Sequence, residues 1–156
     1  MNKKEFYFKL ALLICTALCP IVCYLLVGYQ DSYSKYFLTN AQPIFIISNV
    51  VTAYYLHKIK DWEIPALLII LVLTFSVDKY PIIHNVLAVL FFIKCLIIIY
   101  EKSRYRNIIH FYLMSLILLP ISLFYVEVVL IYILCIYHAI NLFRYKNLKE
   151  CQKKRN

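Results

Sequence analysis

The chain has 156 residues, 63% of them hydrophobic and 17% aromatic, with a mean hydropathy of +0.74. Only 16% is charged, against about a quarter in a soluble domain, which leaves too few polar side chains to cover a water-facing globule. The net charge of +9 does not point to nucleic acid, because the basic residues stand at the ends of apolar runs and not on a patch interleaved with aromatics. One Gly and five Pro leave little for linkers and exclude Gly-rich phosphate loops, so a single all-α membrane domain is the economical reading.

The first predicted helix is 6–28, preceded by Lys3 and Lys4. It is longer than a signal-peptide core and no small-residue cleavage site follows, so it reads as a retained span. Within it Cys15, Cys19 and Cys23 share one face at every fourth position. Small side chains for close helix packing suit that pattern better than a soft-metal or redox face. Cys95 and Cys135 also lie in apolar runs, Cys151 lies in the basic end, and no disulfide framework is expected.

A polar, Tyr-rich stretch, 29–42, leads to two short helices, 43–57 and 63–78, separated by His57, Lys58, Lys60, Asp61 and Glu63. Both are short for a span of roughly 17–25 residues. They suffice if Tyr36, Phe37, Trp62 and Tyr80 lie in the membrane interface, where aromatics belong. Pro43 and Pro65 suit helix starts. The fourth helix, 82–100, ends at Glu101, Lys102, Arg104 and Arg106. The apolar stretch 108–143 would be about 54 Å long as one helix, far beyond a hydrocarbon core of about 30 Å. A turn is therefore expected near Pro120, Ser122, Tyr125 and Glu127, giving helices 108–124 and 126–143, with a basic tail over 144–156.

Orientation follows from Lys and Arg. Six spans put Lys3, Lys4, Lys9, Lys58, Lys60, Lys102, Arg104, Arg106, Arg144, Lys146, Lys149, Lys153, Lys154 and Arg155 on one side. The other side holds only Lys35 and Lys79, and Lys94 lies inside a helix. The expected fold is an integral membrane bundle of six transmembrane helices, spanning 1–143, with N and C termini cytoplasmic. Abundant Ile, Lys, Tyr and Asn suit a bacterial cytoplasmic membrane. The bilayer is the expected partner, with a homo-oligomer as a further option and no nucleic acid.

Polar groups inside a bilayer are costly and often functional. On the extracytoplasmic side the candidate ligand-binding residues are Ser34, Tyr36, Thr39, Asn40, Asp78, His84 and Glu127, accompanied by Asp31, Ser32 and Gln42. Carboxyl groups and an imidazole at one face suit a cation, a lipid head group or a small solute. The plainer alternative is water-facing loops and helix caps. Toward the cytoplasmic half lie Lys94, His138 and Asn141. The last two share a face, and a contact with Lys94 would satisfy a buried donor. A proton or ion path is the sharper reading, weakened because no mid-membrane carboxylate accompanies Lys94. His57 and His110 read as interfacial. Without metal, phosphate-loop, nucleophile-elbow or dinucleotide signatures, no metal, cofactor or catalytic residue is assigned. Three functions follow: a binder of a lipid head group or small solute at the extracytoplasmic face, a small transporter or channel subunit, or a membrane-embedded hydrolase using Ser34 or Ser48 with His84 and Asp78.

The segment Ser32-Tyr33-Ser34-Lys35-Tyr36-Phe37-Leu38-Thr39-Asn40-Ala41-Gln42-Pro43-Ile44-Phe45 resembles one carried by small bacterial multi-pass membrane proteins that are defined only as a domain of unknown function. That segment has the form S-x-S-x-Y-Y-x-T-N-A-R-D-x-F, and the family also has a His opening a later helix and a Glu opening the last. His84 and Glu127 match in kind, and the resemblance spans 32–143. Gln42-Pro43 replaces the family's Arg-Asp pair, and Ile and Leu replace its Gly-rich middle helices. The resemblance implies the membrane fold and location and no reaction.

Overall fold

A computed structural model describes residues 3–102, 106–115 and 122–155. The described residues form helices and turns, with no strand among them. In order these are α1 (Lys3–Val27), a 3₁₀ helix (Tyr33–Leu38), α2 (Gln42–His57), α3 (Glu63–Thr74), α4 (Pro81–Lys102), α5 (Arg106–Ser115) and α6 (Leu123–Arg155). Three helices are long and apolar enough to cross a membrane: α1, α4 and the Leu123–Leu148 part of α6. Their flanks expose large apolar side chains, among them Leu25 at 76% and Ile82 at 78%. Apolar exposure on this scale suits lipid better than water.

Helix ends are set by local chemistry. α1 stops because Gly28 takes φ +84 and its N–H closes on the Tyr24 carbonyl at 2.7 Å, a left-handed cap that only glycine adopts cheaply. The tight turn after α2 places Asp61 at φ 72, a conformation that Asp tolerates better than branched residues. Asp61 then pairs with Lys102 across the bundle. Pro81 opens α4 and disfavours helix at the residue before it.

Contacts sort the helix ends into two sets. At one, the loop end, the Phe124 N–H reaches the Asp31 carbonyl at 3.2 Å, and Leu73 near the end of α3 packs on the cluster of Cys23, Tyr36 and Phe124. At the other, the lysine end, the Phe6 and Phe143 rings meet at 5.3 Å and Lys102 meets Asp61. The helices thus run alternately up and down. One buried cluster, including Leu13, Tyr55, Trp62, Phe91, Cys95 and Leu134, fills the bundle toward the lysine end. A second, of Cys19, Cys23, Tyr33, Tyr36, Ala41, Phe45 and Phe124, fills the loop end.

Several boundaries differ from expectation. The helix expected over 63–78 ends at Thr74, since Ser76, Asp78 and Pro81 favour the turn that the Tyr80 N–H closes on Ser76. The expected turn at Pro120 lies outside the described residues. Tyr125 and Glu127 belong to no turn: both sit in the opening of α6. The basic stretch from Arg144 continues α6 as one helix of 33 residues, because Lys, Leu, Glu and Gln are good helix formers and no Gly or Pro interrupts them.

Candidate functional site

The first loop is a built lid over the loop end. Its two Tyr hydroxyls anchor it to α1: Tyr36 donates to the Gly28 carbonyl at 2.8 Å and Tyr33 to the Cys19 sulfur at 3.0 Å. Burial pushes the Tyr36 phenol up to about 12 and the Tyr33 phenol well above its usual range, so both remain donors at neutral pH. On the other side the Tyr33 N–H donates to Glu127 Oε2 at 2.6 Å, and the Ser34 hydroxyl reaches Oε1 at 3.5 Å. Tyr29 and Ser122 share a hydroxyl contact at 2.7 Å. Thr39 turns inward on itself, donating to the Tyr36 carbonyl at 2.9 Å and accepting from the Ala41 N–H at 3.2 Å.

Beneath the lid lies a cavity of about 90 Å³, bounded by α1, α2, α3, α4, α6 and the 3₁₀ helix. Glu127 and Ser34 stand at one end and His138 at the other. Eleven positions of one helix separate Glu127 from His138, about 16 Å of rise, so the cavity is long and narrow. Its walls are mostly apolar, with Phe45, Phe91, Ile131 and Leu134 prominent. A polar stripe runs down one side: Ser48, Asn49 and Thr52 from α2 and Thr16 from α1. Most of the stripe is satisfied locally. Asn49 donates to the Phe45 carbonyl at 2.8 Å, Thr52 donates to the Ser48 carbonyl at 2.8 Å, and the Thr16 and Thr52 hydroxyls meet at 2.8 Å. His138 differs, because its Nε2 is buried without a hydrogen-bond partner among the described residues. Its ring is boxed by Trp62, Tyr55 and Tyr137, at centroid distances of 4.3, 5.3 and 5.3 Å.

Beyond His138 a second, open hollow of about 580 Å³ faces the lysine end. Tyr55, Trp62 and His138 line both hollows. The three side chains form a shared wall, a septum, between them.

The candidate residues separate under this geometry. Ser34, Tyr36 and Glu127 are buried together, not water-facing. Thr39 is half-buried and holds the loop, while Asn40 and Asp78 are exposed. His84 is buried at 3% but does not line the cavity that holds Glu127. Its Nδ1 meets the carbonyls of Phe75 at 2.8 Å and Val72 at 3.1 Å. Two carbonyl acceptors fix the proton on Nδ1, so His84 caps the end of α3. Ser34, His84 and Asp78 share no hydrogen bond among the described residues, and neither do Ser48 and His84. Lys94 is half-buried and lines neither hollow. His138 closes the cavity, and Asn141 lies exposed in the lysine-end hollow. Cys19 and Cys23 are buried with sulfurs 3.8 Å apart, and no group of three or more His, Cys, Asp or Glu side chains able to hold a metal occurs among the described residues.

Thr16, Thr52, Tyr55 and Trp62 are the site residues that the sequence did not flag. A signal existed for two of them: Ser48 and Thr52 lie one turn apart on one face of an otherwise apolar helix, at a depth that Thr16 matches on α1. Comparison with family models, with curated proteins and with solved structures gives no match.

Proposed function

We propose that this is a six-span protein of a bacterial cytoplasmic membrane, with both termini cytoplasmic, that holds a small ligand in the cavity beneath its lid. The ligand is a narrow molecule, a lipid head group with the start of its chain or a small solute. Its polar end meets Glu127, Ser34 and Asn49, and its body lies against Phe45, Phe91, Ile131 and Leu134. The observation that carries this reading is the partly open cavity running from Glu127 to His138. Ligand sites are concave and mostly apolar, with a few convergent polar groups, and this cavity has that composition.

The alternating ends of the helices and the concentration of Lys and Arg at one of them support the span count and orientation. The α3 helix has only 12 residues, about 18 Å of rise, and needs Trp62 and the Phe75–Tyr80 turn to reach both interfaces. The resemblance of Ser32–Phe45 to the domain of unknown function belongs to the same proposal. Its Ser34, Tyr36, Thr39 and Ala41 are the residues that fasten the lid.

Filling the cavity tests the reading. Ala88 lines it and is half-buried. The Ala88→Leu protein, purified in a mild detergent, should fold and yet release the small molecule that solvent extraction and mass spectrometry recover near one per chain from the unaltered protein. Equal recovery from both proteins, or none from either, would refute it. Single cysteines placed at Asn40 and Asn147 test the orientation: a membrane-impermeant maleimide applied to intact cells should label the first alone.

A second reading, translocation, is favoured by the septum. Tyr55, Trp62 and His138 line both the cavity and the lysine-end hollow, and rotation of one or two of these side chains is the movement that would join them.

A further inference from the structure

The lysine-end hollow has a chemistry of its own. Four lysines from separate parts of the chain converge on it: Lys9 of α1, Lys58 and Lys60 after α2, and Lys102 of α4. Like charges gathered this way repel unless something neutralises them. Among the described residues, carboxyl groups pair with two of the four. Lys9 pairs with Glu5 at 2.9 Å, and Lys102 pairs with Asp61. Lys58 has the face of Tyr54 at 5.3 Å, which orients an ammonium without cancelling its charge. Lys60 adds a further positive charge.

The floor supplies the second half of a site. Asn141 lines it, and so does His138, which is 5% exposed and has no partner for Nε2. A buried polar atom left without a partner is costly, and a turn of the His138 ring toward the hollow would let a ligand oxygen supply one. Ammonium groups on the rim with neutral donors on the floor suit an anion carrying several acceptor oxygens, more than a carboxylate offers. Basic pockets between membrane helices on the cytoplasmic side commonly take phosphate head groups.

We infer that this hollow is a phosphate-binding site, filled by the head group of an anionic phospholipid or by a free phosphate compound. The site is separate from the lidded cavity. Its chemistry stands whether or not that cavity holds a ligand.

The full-length protein is reconstituted in nanodiscs of phosphatidylcholine alone, of phosphatidylcholine with phosphatidylglycerol, and of phosphatidylcholine with inorganic phosphate added. Thermal unfolding and native mass spectrometry report binding. Phosphatidylglycerol, phosphate or both should raise the unfolding midpoint. Lys58→Gln with Lys60→Gln should weaken the effect about thirtyfold, each lysine being worth roughly fivefold. Both lysines are exposed, so this variant folds, and circular dichroism checks it. His138→Phe should weaken binding with the lysines intact. The matched variant, Lys35→Gln with Lys79→Gln at the loop end, should bind as before. A response to phosphatidylglycerol alone assigns the site to lipid, and a response to inorganic phosphate assigns it to a soluble phosphate compound. No response to either, or equal losses in the two lysine pairs, overturns the inference. Ala88→Leu should leave phosphate binding intact, so failure of the cavity reading and failure of this one are told apart.

Discussion

Glu127 fastens the lid to α6, and its removal has a calculable cost. Glu127→Ala takes the acceptor away from the Tyr33 N–H at 2.6 Å and from the Ser34 hydroxyl at 3.5 Å. A buried N–H left without a partner costs about 1–3 kcal/mol. The serine contact lies at the edge of hydrogen-bond length, and its hydroxyl can rotate, so it adds less than about 1 kcal/mol. One lost buried methylene adds about 0.8 kcal/mol. The total is about 3 kcal/mol for alanine. Glu127→Gln keeps the shape and one carbonyl acceptor, so its cost is about 1 kcal/mol. Unfolding by titrated SDS in mixed micelles reads these differences, and hydrogen exchange reads their location. The Tyr33 amide and its neighbours over 29–42 should exchange faster in the alanine protein, while the interior of α4 should not. Alanine within about 0.5 kcal/mol of the parent, with an unchanged Tyr33 amide, would show that Glu127 does not hold the lid.

Three shorter predictions follow from the same contacts. His84→Ala strips the Val72 and Phe75 carbonyls of their donor and should cost about 1–2 kcal/mol by the same SDS titration; no loss would mean His84 is no cap. The Tyr36 phenol, held up to about 12 by burial, favours its neutral form in the fold. Stability should therefore be flat below about pH 10, the ordinary phenol value, and fall as pH rises toward 12. Tyr36→Phe should lack that share of the fall, and parallel alkaline melts of the two proteins decide it. Trp62 is 2% exposed, and Trp62→Ala should cost about 3–5 kcal/mol, measured against the half-exposed Tyr125→Ala, which should cost far less.

Part of the fold is legible because helices long and apolar enough to cross a membrane are written as long apolar runs. The runs around 6–28 and 82–100 were read within a few residues of α1 and α4. Harder to read was anything decided by side-chain packing. Glu127 looked like a turn residue because a charged side chain inside an apolar run suggests exposure. Its actual place depends on Tyr33 offering a backbone N–H from 94 positions earlier, which periodicity cannot reveal. His84 and Asp78 were grouped with it by depth alone, and depth fixes a level in the membrane without fixing an azimuth around the bundle. Thr16 and Thr52, which join Ser48 in the polar stripe, escape the sequence for a related reason. Hydroxyls that bond their own helix carbonyls are common in apolar helices, and only the facing of α1 on α2 makes these three a wall.

The septum separates a binder from a transporter, and one substitution can decide between them. Among the described residues His138 is held by ring contacts, with Trp62 at 4.3 Å and Tyr55 and Tyr137 at 5.3 Å, and its Nε2 has no hydrogen-bond partner in the closed state. A closed state that leaves a polar atom unsatisfied is less favourable than its packing suggests, so opening toward the lysine-end hollow costs less than moving an apolar residue in its place would. His138→Phe keeps the ring and removes the unpaired atom, and should stabilise the closed form. If the protein only binds, this variant should keep its cavity ligand with unchanged or slower release. If it translocates, a thiol reagent supplied from the lysine end should reach a cysteine placed at Thr52 in the parent and be slowed in His138→Phe. Blocked access in the parent would end the translocation reading. Equal access in both proteins would show a path that bypasses His138, and the septum would then be packing and not a gate.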